Sequence, residues 1–325
     1  MSYDETPAPG LVMVYMPDRG VGDLMWHLPT LRAIAASTPE GRVLLAARPS
    51  SRARDLLAAE PCVVAVDYLD YRAGTFRNLV EIADFYKLCR RRKPRAVWIL
   101  EKIDRPAIGA ALAGVPERRG FGLGHGQERW LTHKPFLPRS MRPAHRIEKL
   151  AALETGHGLS VSSREPALVP IPAAVEAMEA RFAGLPRPWI VYGVGSSEPS
   201  RCWPMERFGE LTRELADLGG TRFWLGGFGD SAAVEGQLAA GADGVNVCDL
   251  KMDTAAALTS RADLFIGNNS GPLNIAASVG VTSIGLFAGT APLDYSRFLH
   301  SIVGPEEGMA FLGVESVAPI ARLSL

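Results

Sequence analysis

The sequence predicts an α/β protein made of two doubly wound parallel-sheet domains in tandem. Three observations predict it: short apolar runs alternate with amphipathic stretches, a Pro-rich interruption falls near mid-chain, and the chain has 325 residues. That length suits two domains of roughly 150 residues each. In the first half the runs Leu11 to Met16, Val43 to Ala46, Val63 to Val66 and Ala96 to Leu100 are short, apolar and often β-branched, as buried strands are. Between them Leu24 to Ala36, Ser51 to Ala59 and Phe76 to Arg92 carry apolar residues at three- and four-residue spacing, as helices covering a sheet do. A βαβ rhythm of this kind builds a parallel sheet.

After Gly158 the composition shifts. Pro166, Pro170, Pro172, Pro186 and Pro188 flank a helical stretch from Ala173 to Phe182, which marks an interdomain connection. The rhythm then resumes, with strands at Trp189 to Gly193, Thr221 to Leu225, Gly244 to Val247, Asp263 to Ile266 and Thr282 to Phe287. Helices at Pro204 to Leu218, Ser231 to Ala239, Thr254 to Arg261 and Pro272 to Val279 fill the gaps. Folds of this class bind ligands at the carboxyl ends of their strands, so a cleft between the two sheets is expected to hold the chemistry.

Composition excludes several functions. Apolar residues make up 47% of the chain and charged ones 22%, and no apolar run approaches the roughly 18 residues of a membrane span. The opening Met1 to Pro7 lacks the basic cluster and apolar core of a secretory signal, so a cytoplasmic location is expected. Cys62, Cys89, Cys202 and Cys248 are scattered and read as reduced, mostly buried thiols. His27, His125, His133, His145, His157 and His300 include no pair at metal-binding spacing, and no metal site is legible. The net charge of zero conceals an asymmetry: residues 1–170 hold 25 basic and 18 acidic side chains, the remainder 10 and 17. The basic half suits an acidic saccharide or phosphate-rich headgroup, and the acidic half argues against wrapping a nucleic-acid duplex.

Three local signals could carry chemistry. The turn Pro17-Asp18-Arg19-Gly20-Val21-Gly22-Asp23 follows the first strand and enters a helix expected to begin near Leu24. Asp23 has two readings there, a helix cap and a carboxylate that takes a proton from a bound hydroxyl, and both can hold together. Met25 stands where a dinucleotide fingerprint needs its third glycine, so that motif is incomplete. Pro29 is expected to kink the helix. The second signal, Gly267-Asn268-Asn269-Ser270-Gly271-Pro272-Leu273-Asn274, joins a strand to a helix. It reads either as a plain tight turn or as a set of backbone N–H groups for a diphosphate. Third, Arg201 in Ser200-Arg201-Cys202-Trp203-Pro204 follows the turn after the second half's first strand, where a guanidinium could neutralise phosphate.

Taken in order, these segments resemble the ADP-heptose:lipopolysaccharide heptosyltransferase family, glycosyltransferase family 9. The opening helix Gly22-Asp23 through Pro29-Thr30-Leu31-Arg32 resembles the family's Gly-Asp and Pro-x-Leu-Arg. Arg201-Cys202-Trp203-Pro204 resembles Lys/Arg-x-Trp-Pro, Gly226-Gly227 a Gly-Gly turn, and Lys251-Met252 the segment flanking the nucleotide base. Asn269-Ser270-Gly271-Pro272-Leu273-Asn274-Ile275-Ala276 resembles Asp-Ser-Gly-Pro-x-His-x-Ala, and Phe287 to Pro292 resembles Phe-Gly-Pro-Thr-x-Pro.

The resemblance implies a GT-B fold: two Rossmann-like domains facing a central cleft, an acceptor-binding one over 1–168 and a donor-binding one over 169–325, whose last residues can pack back on the first. It implies an inverting, metal-independent transfer of heptose or a related sugar from a nucleotide diphosphate donor to a lipopolysaccharide-type or other surface glycan. Asp23 then matches the catalytic base. Arg201, Lys251, Met252, Asn269, Ser270, Gly271, Pro272 and Asn274 match the donor side, and Arg118, Arg119 and His145 the acceptor side. No cofactor and no metal are expected, and the sequence has no Asp-x-Asp. The implied partners are a nucleotide sugar and an anionic glycolipid or saccharide, with peripheral contact at the inner membrane and no nucleic acid. Asn269 and Asn274 replace the family's Asp and His. A different donor, a non-catalytic nucleotide-sugar binding protein, and a GT-B epimerase or hydrolase therefore stand as alternatives.

Overall fold

The computed structural model describes residues 10–18, 20–70, 76–124, 126–289, 292 and 294–325. The Met1 to Pro7 stretch, Arg19 of the first turn, His125, and Thr290 and Ala291 of the last motif lie outside them. The chain divides into two units, Met1–Arg164 and Glu165–Leu325.

In the first unit the order is β1 (Val12–Met16), α1 (Val21–Ala36), β2 (Val43–Ala47), α2 (Ala53–Leu56), β3 (Val63–Tyr68), α3 (Arg77–Arg92), β4 (Ala96–Ile99), α4 (Arg105–Leu112), β5 (Glu117–Gly120) and α5 (Arg146–Gly156). The strands form one parallel sheet in the order β3-β2-β1-β4-β5. Val14 of β1 pairs with Leu45 on one side and Trp98 on the other, so β1 is central and apolar throughout. On one face Met13, Tyr15, Leu44 and Val97 pack against Phe85 and Leu88 of α3, with the Tyr15 and Phe85 rings edge to face at 5.1 Å. Burying such side chains contributes about 1.5–3 kcal/mol each.

The second unit runs α6 (Pro172–Phe182), β6 (Trp189–Gly193), α7 (Met205–Glu214), β7 (Thr221–Leu225), α8 (Ser231–Ala239), β8 (Val245–Asn246), α9 (Met252–Thr259), β9 (Leu264–Asn268), α10 (Gly271–Ser278), β10 (Ser283–Phe287), β11 (Leu299–Val303) and α11 (Ala318–Leu323). Its parallel sheet has the order β11-β10-β9-β6-β7-β8. Both faces are covered, and the two-residue period of a strand sorts the side chains. Tyr192 and Trp224 join Trp203 and Phe208 on one face, while Val191 and Phe223 join Phe182 and Phe265 on the other. The sequence reading lets the last residues pack back on the first domain. Within the second unit, Val317, Ala318 and Ala321 belong to its core, and Arg322 pairs with Asp217 at 2.7 Å.

The structure departs from the sequence expectation at identifiable places. The helix expected over Ser51 to Ala59 shrinks to α2 behind a short 3₁₀ turn, and α1 starts at Val21, ahead of Leu24. Pro29 lies within a helix that continues to Ala36. Elements α4, β5, α5, β11 and α11 were not anticipated from periodicity. No helix among the described residues is long and apolar enough to cross a membrane. The four cysteines are free, with Cys89 and Cys248 buried and Cys62 and Cys202 half-buried.

Candidate active-site residues in each unit

An open parallel sheet presents its ligand crevice where the strand order reverses. In the first unit that point lies between β1 and β4, whose following loops carry Asp18 and Glu101. Because α1 begins at Val21, Asp23 is its third residue rather than its cap. Its Oδ2 accepts the Gly20 backbone N–H at 3.2 Å, one of the donors that a helix start leaves unsatisfied. No other hydrogen bond to this carboxylate is made among the described residues. The structural and the chemical readings of Asp23 are compatible in one side chain.

Sequence reasoning missed what surrounds it. Arg146, the first residue of α5, reaches Asp18 Oδ1 at 2.8 Å, Glu101 Oε2 at 3.2 Å and the Leu100 carbonyl at 3.2 Å. His27, one turn along α1 from Asp23, donates from Nδ1 to the Asp23 carbonyl at 2.8 Å, and its Nε2 lies 3.3 Å from Asp18 Oδ2. Burial pushes the Asp18 carboxyl up to about 6, against the pull of Arg146. Burial, and then the charge of Asp18, raises Asp23 above the ordinary carboxylate range. Burial and the nearby Arg146 charge push His27 down to about 4. Two carboxyl groups, Asp18 and Glu101, thus share one guanidinium within reach of the Asp23 charge, and a carboxylate with raised proton affinity is a better base than a free one.

The residues matched to the acceptor side have internal partners. His145 caps α5, its Nδ1 accepting the Ile147 N–H at 3.3 Å, and its ring stands edge to face on Trp26 at 5.0 Å. Arg118 on β5 donates to the Trp130 carbonyl at 2.6 Å and to the Val115 carbonyl, tying a loop to the sheet edge. Arg119 pairs with Glu117 at 3.1 Å and lies over the Trp98 ring at 5.2 Å.

In the second unit the reversal lies between β6 and β9. There Gly193 and Gly267 are paired neighbours, and a Cβ on Gly193 would fall 2.4 Å from the Phe265 ring, so only glycine fits. Just beyond, the fully buried Asn268 joins the two loops. Its Oδ1 accepts the Trp203 N–H at 2.8 Å and its Nδ2 donates to the Val194 carbonyl at 2.7 Å. The Asn268-Asn269 doublet is visible in the sequence; that its first member clamps the Arg201 loop to the Ser270 loop is not.

Ser270 is the N-cap of α10, in extended conformation, and Gly271 and Pro272 occupy the first turn. The helix therefore begins one residue earlier than expected. Arg201 lies in a 3₁₀ turn with its Nε 3.0 Å from Glu198 Oε2. Asn274 donates from Nδ2 to the Ser270 carbonyl at 3.0 Å and accepts from the Tyr295 hydroxyl. Asn269, half-buried, is held through its backbone N–H to the Leu286 carbonyl at 3.1 Å. The Gly226-Gly227 turn is closed by Asp230, whose Oδ2 accepts the Gly227 N–H at 2.7 Å. Behind it a small apolar slot of about 40 Å³ is lined by Leu225, Gly226, Leu250, Met252, Pro272 and Ile275, and the exposed Lys251, next to Met252, is the N-cap residue of α9. Among the described residues no group of three or more His, Cys, Asp or Glu side chains is placed to hold a metal ion.

Residues 138–303 match the model of glycosyltransferase family 9 (heptosyltransferase). No curated protein matches the chain. Among solved structures, ADP-heptose lps heptosyltransferase II of E. coli superposes with a TM-score of 0.77 at 20% identity, over 97% of this chain and 98% of that one. A family 9 glycosyl transferase of Veillonella parvula gives 0.80 at 18% identity, over 99% of both chains. E. coli heptosyltransferase WaaC with ADP-2-deoxy-2-fluoro heptose gives 0.77 at 14% identity, over 97% and 99%. At these identities the likeness establishes a shared fold, the α/β heptosyltransferase architecture with two parallel sheets.

Proposed function

Because the chain belongs to glycosyltransferase family 9, the heptosyltransferases, with just over half of it matched by the family model, we propose that it transfers heptose or a related sugar from a nucleotide diphosphate, with inversion and without a metal ion, to a saccharide or glycolipid acceptor. The observation that carries the reading is the Asp23 carboxylate: among the described residues it has one oxygen bonded to its own helix start and the other without a hydrogen bond, beside the strand-order reversal of the first unit.

Asp23 takes the proton from the acceptor hydroxyl as that oxygen attacks the anomeric carbon. General-base help of this kind is worth about 10²- to 10⁴-fold. The nucleotide diphosphate leaves from the opposite face and gains negative charge as it does. The N–H groups at the start of α10, around Ser270 and Gly271, together with the guanidinium of Arg201, stabilise that charge. Arg201 needs to turn from Glu198 for this, and its exposed ion pair is a weak competitor, worth about 0–1 kcal/mol. The base of the nucleotide occupies the slot beside Met252, with Lys251 at its edge. A solved relative carries an ADP-heptose analogue, which makes ADP-heptose the first donor to try. Asn269 and Asn274 leave the sugar pocket neutral, and Asn274 has its amide committed to Ser270 and Tyr295, so hydroxyl-rich neutral sugars fit it best. The basic excess of the first half suits an acceptor carrying phosphate or carboxylate, at the inner membrane's cytoplasmic face.

The test is Asp23→Ala assayed with ADP-, GDP-, UDP- and dTDP-sugars. Turnover should fall by about 10²-fold or more while nucleotide affinity changes little. Retained turnover removes Asp23 as base. Nucleotide binding with no transfer by the unaltered protein favours a binding protein, and free sugar or an epimer formed without acceptor favours hydrolysis or epimerisation.

A further inference from the structure

The pair Asp18 and His27 is not used by the mechanism above, and its geometry imposes a protonation state. His27 Nδ1 faces the Asp23 backbone carbonyl, which can only accept, so Nδ1 carries hydrogen. A neutral ring then presents a bare Nε2. That atom lies 3.3 Å from Asp18 Oδ2, and neither has any other hydrogen-bond partner among the described residues, both being buried. Two acceptors cannot face each other in a dry interior at that distance at no cost, so one proton belongs between them.

Resting on the reading of Asp23 as base, we propose that Asp18 is a positioning residue for the transfer. Through His27, which bridges Asp18 to the Asp23 carbonyl, it fixes the turn that carries the base, and its own ionisation sets how strongly Asp23 holds a proton. When the pair keeps its proton Asp18 is neutral and Asp23 is the weaker base. When the pair loses it, a second negative charge appears beside Asp23 and raises its proton affinity. Among the described residues the other charged groups facing this cluster are Arg146 from α5, Glu101 after β4 and Arg48 after β2, while His145 faces Asp23 itself. Arg146, bonded to Asp18 and Glu101, limits the effect without cancelling it.

The experiment is Asp18→Asn, with His27→Gln as companion, read by carbon NMR titration of the Asp23 carboxyl and by the pH profile of kcat and kcat/KM. In the unaltered protein the acid limb should extend to near pH 6, the value to which burial pushes Asp18. Asp18→Asn should move both the Asp23 titration and that limb to lower pH, with kcat at neutral pH down about tenfold, a fraction of the roughly 10²- to 10⁴-fold help a base gives, and KM little changed. His27→Gln should lower kcat and leave KM near its starting value. An Asp23 titration unmoved by Asp18→Asn overturns the inference whatever the kinetics. A titration that moves while turnover survives Asp23→Ala leaves the coupling standing and removes Asp23 as base. Should Asp18→Asn unfold, nitrogen NMR of His27 in the unaltered protein decides: Nδ1–H with a titration near pH 6 supports the shared proton, and an insensitive ring overturns it.

Discussion

The two units place their candidate chemistry at the same topological point and build it from opposite materials. In the first, the groups at the strand-order reversal are titratable side chains, Asp18, Asp23, His27, Glu101 and Arg146, drawn from three separate segments and held by charge. In the second they are backbone N–H groups, glycines and amides beside one guanidinium, Arg201, with the loops joined by the neutral clamp Asn268. In the transfer we propose, a proton is moved in one place and a multiply charged leaving group held in the other. The first task needs proton affinities tuned by burial and neighbouring charge. The second needs fixed dipoles that do not titrate. The contrast therefore predicts that the first unit's variants are read in pH profiles and the second's in affinity and stability.

The largest effect should come from removing the neutral clamp. Asn268→Ala leaves the Trp203 N–H and the Val194 carbonyl buried without a partner, at about 1–3 kcal/mol each. Calorimetric unfolding of the second unit should shift down by several degrees. Nucleotide affinity should drop by tenfold or more, roughly the 1.4 kcal/mol that one decade represents, because the loops bearing Arg201 and Ser270 are no longer joined. Unchanged nucleotide affinity in a folded variant would mean that the two loops are positioned independently, and the comparison would lose its second half.

A smaller effect, and one the second unit cannot produce, is a change in how stability depends on pH. Asp18 is raised from 3.8 to about 6 in the fold, so its contribution is present below 3.8 and is lost as pH rises through 6. His27 is lowered from 6.5 to about 4, so its contribution is present above 6.5 and is lost as pH falls through 4. Between pH 4 and 6 the two slopes oppose each other, since the folded state holds its proton on Asp18 where the unfolded chain holds one on His27. Asp18→Asn deletes one slope and leaves the other, so stability should decline on acidification from pH 6.5 to 4 by up to about 1.4 kcal/mol per unit. Urea midpoints across that range measure it. Parallel curves for variant and parent would mean that the two residues do not share a proton.

Much of the fold was legible because both faces of each sheet are covered, so strands such as Val12–Met16 and Leu264–Asn268 read as nearly unbroken apolar runs. The elements that escaped notice are those that break this rule. Strand β5 is Glu-Arg-Arg-Gly, a polar edge strand whose arginines pair with Glu117 and with backbone carbonyls, and β11 is an edge strand with three exposed residues. Asp23 stood out because the turn after the first strand of such a domain opens onto its ligand crevice, where a carboxylate that bonds the helix start can also meet a bound hydroxyl. Its environment did not, since Arg146 is 123 residues away in sequence and Glu101 is 78 away. No local spacing encodes that meeting; only the parallel order that sets β4 beside β1 does so. Asn268 was hidden for the same reason, since its partners lie 65 and 74 residues earlier.

The finest test of the contrast exchanges the material of one site for that of the other. Asn269 immediately precedes the N-cap of α10, so Asn269→Asp adds a carboxylate at a helix start whose first turn has no acidic residue. A negative charge at a helix start is favourable by about 0.3–1 kcal/mol. The variant should be as stable as the parent or slightly more stable. The same charge competes for the dipole with an incoming diphosphate, so nucleotide affinity should fall by about two- to fivefold, the equivalent of that energy, and recover at high salt. Calorimetric titration with a nucleoside diphosphate, alongside thermal unfolding, separates the two readouts. Tighter binding would show that a carboxylate there does not repel the phosphates, and an uncharged helix start would then be a property of this chain rather than a requirement of holding a leaving group.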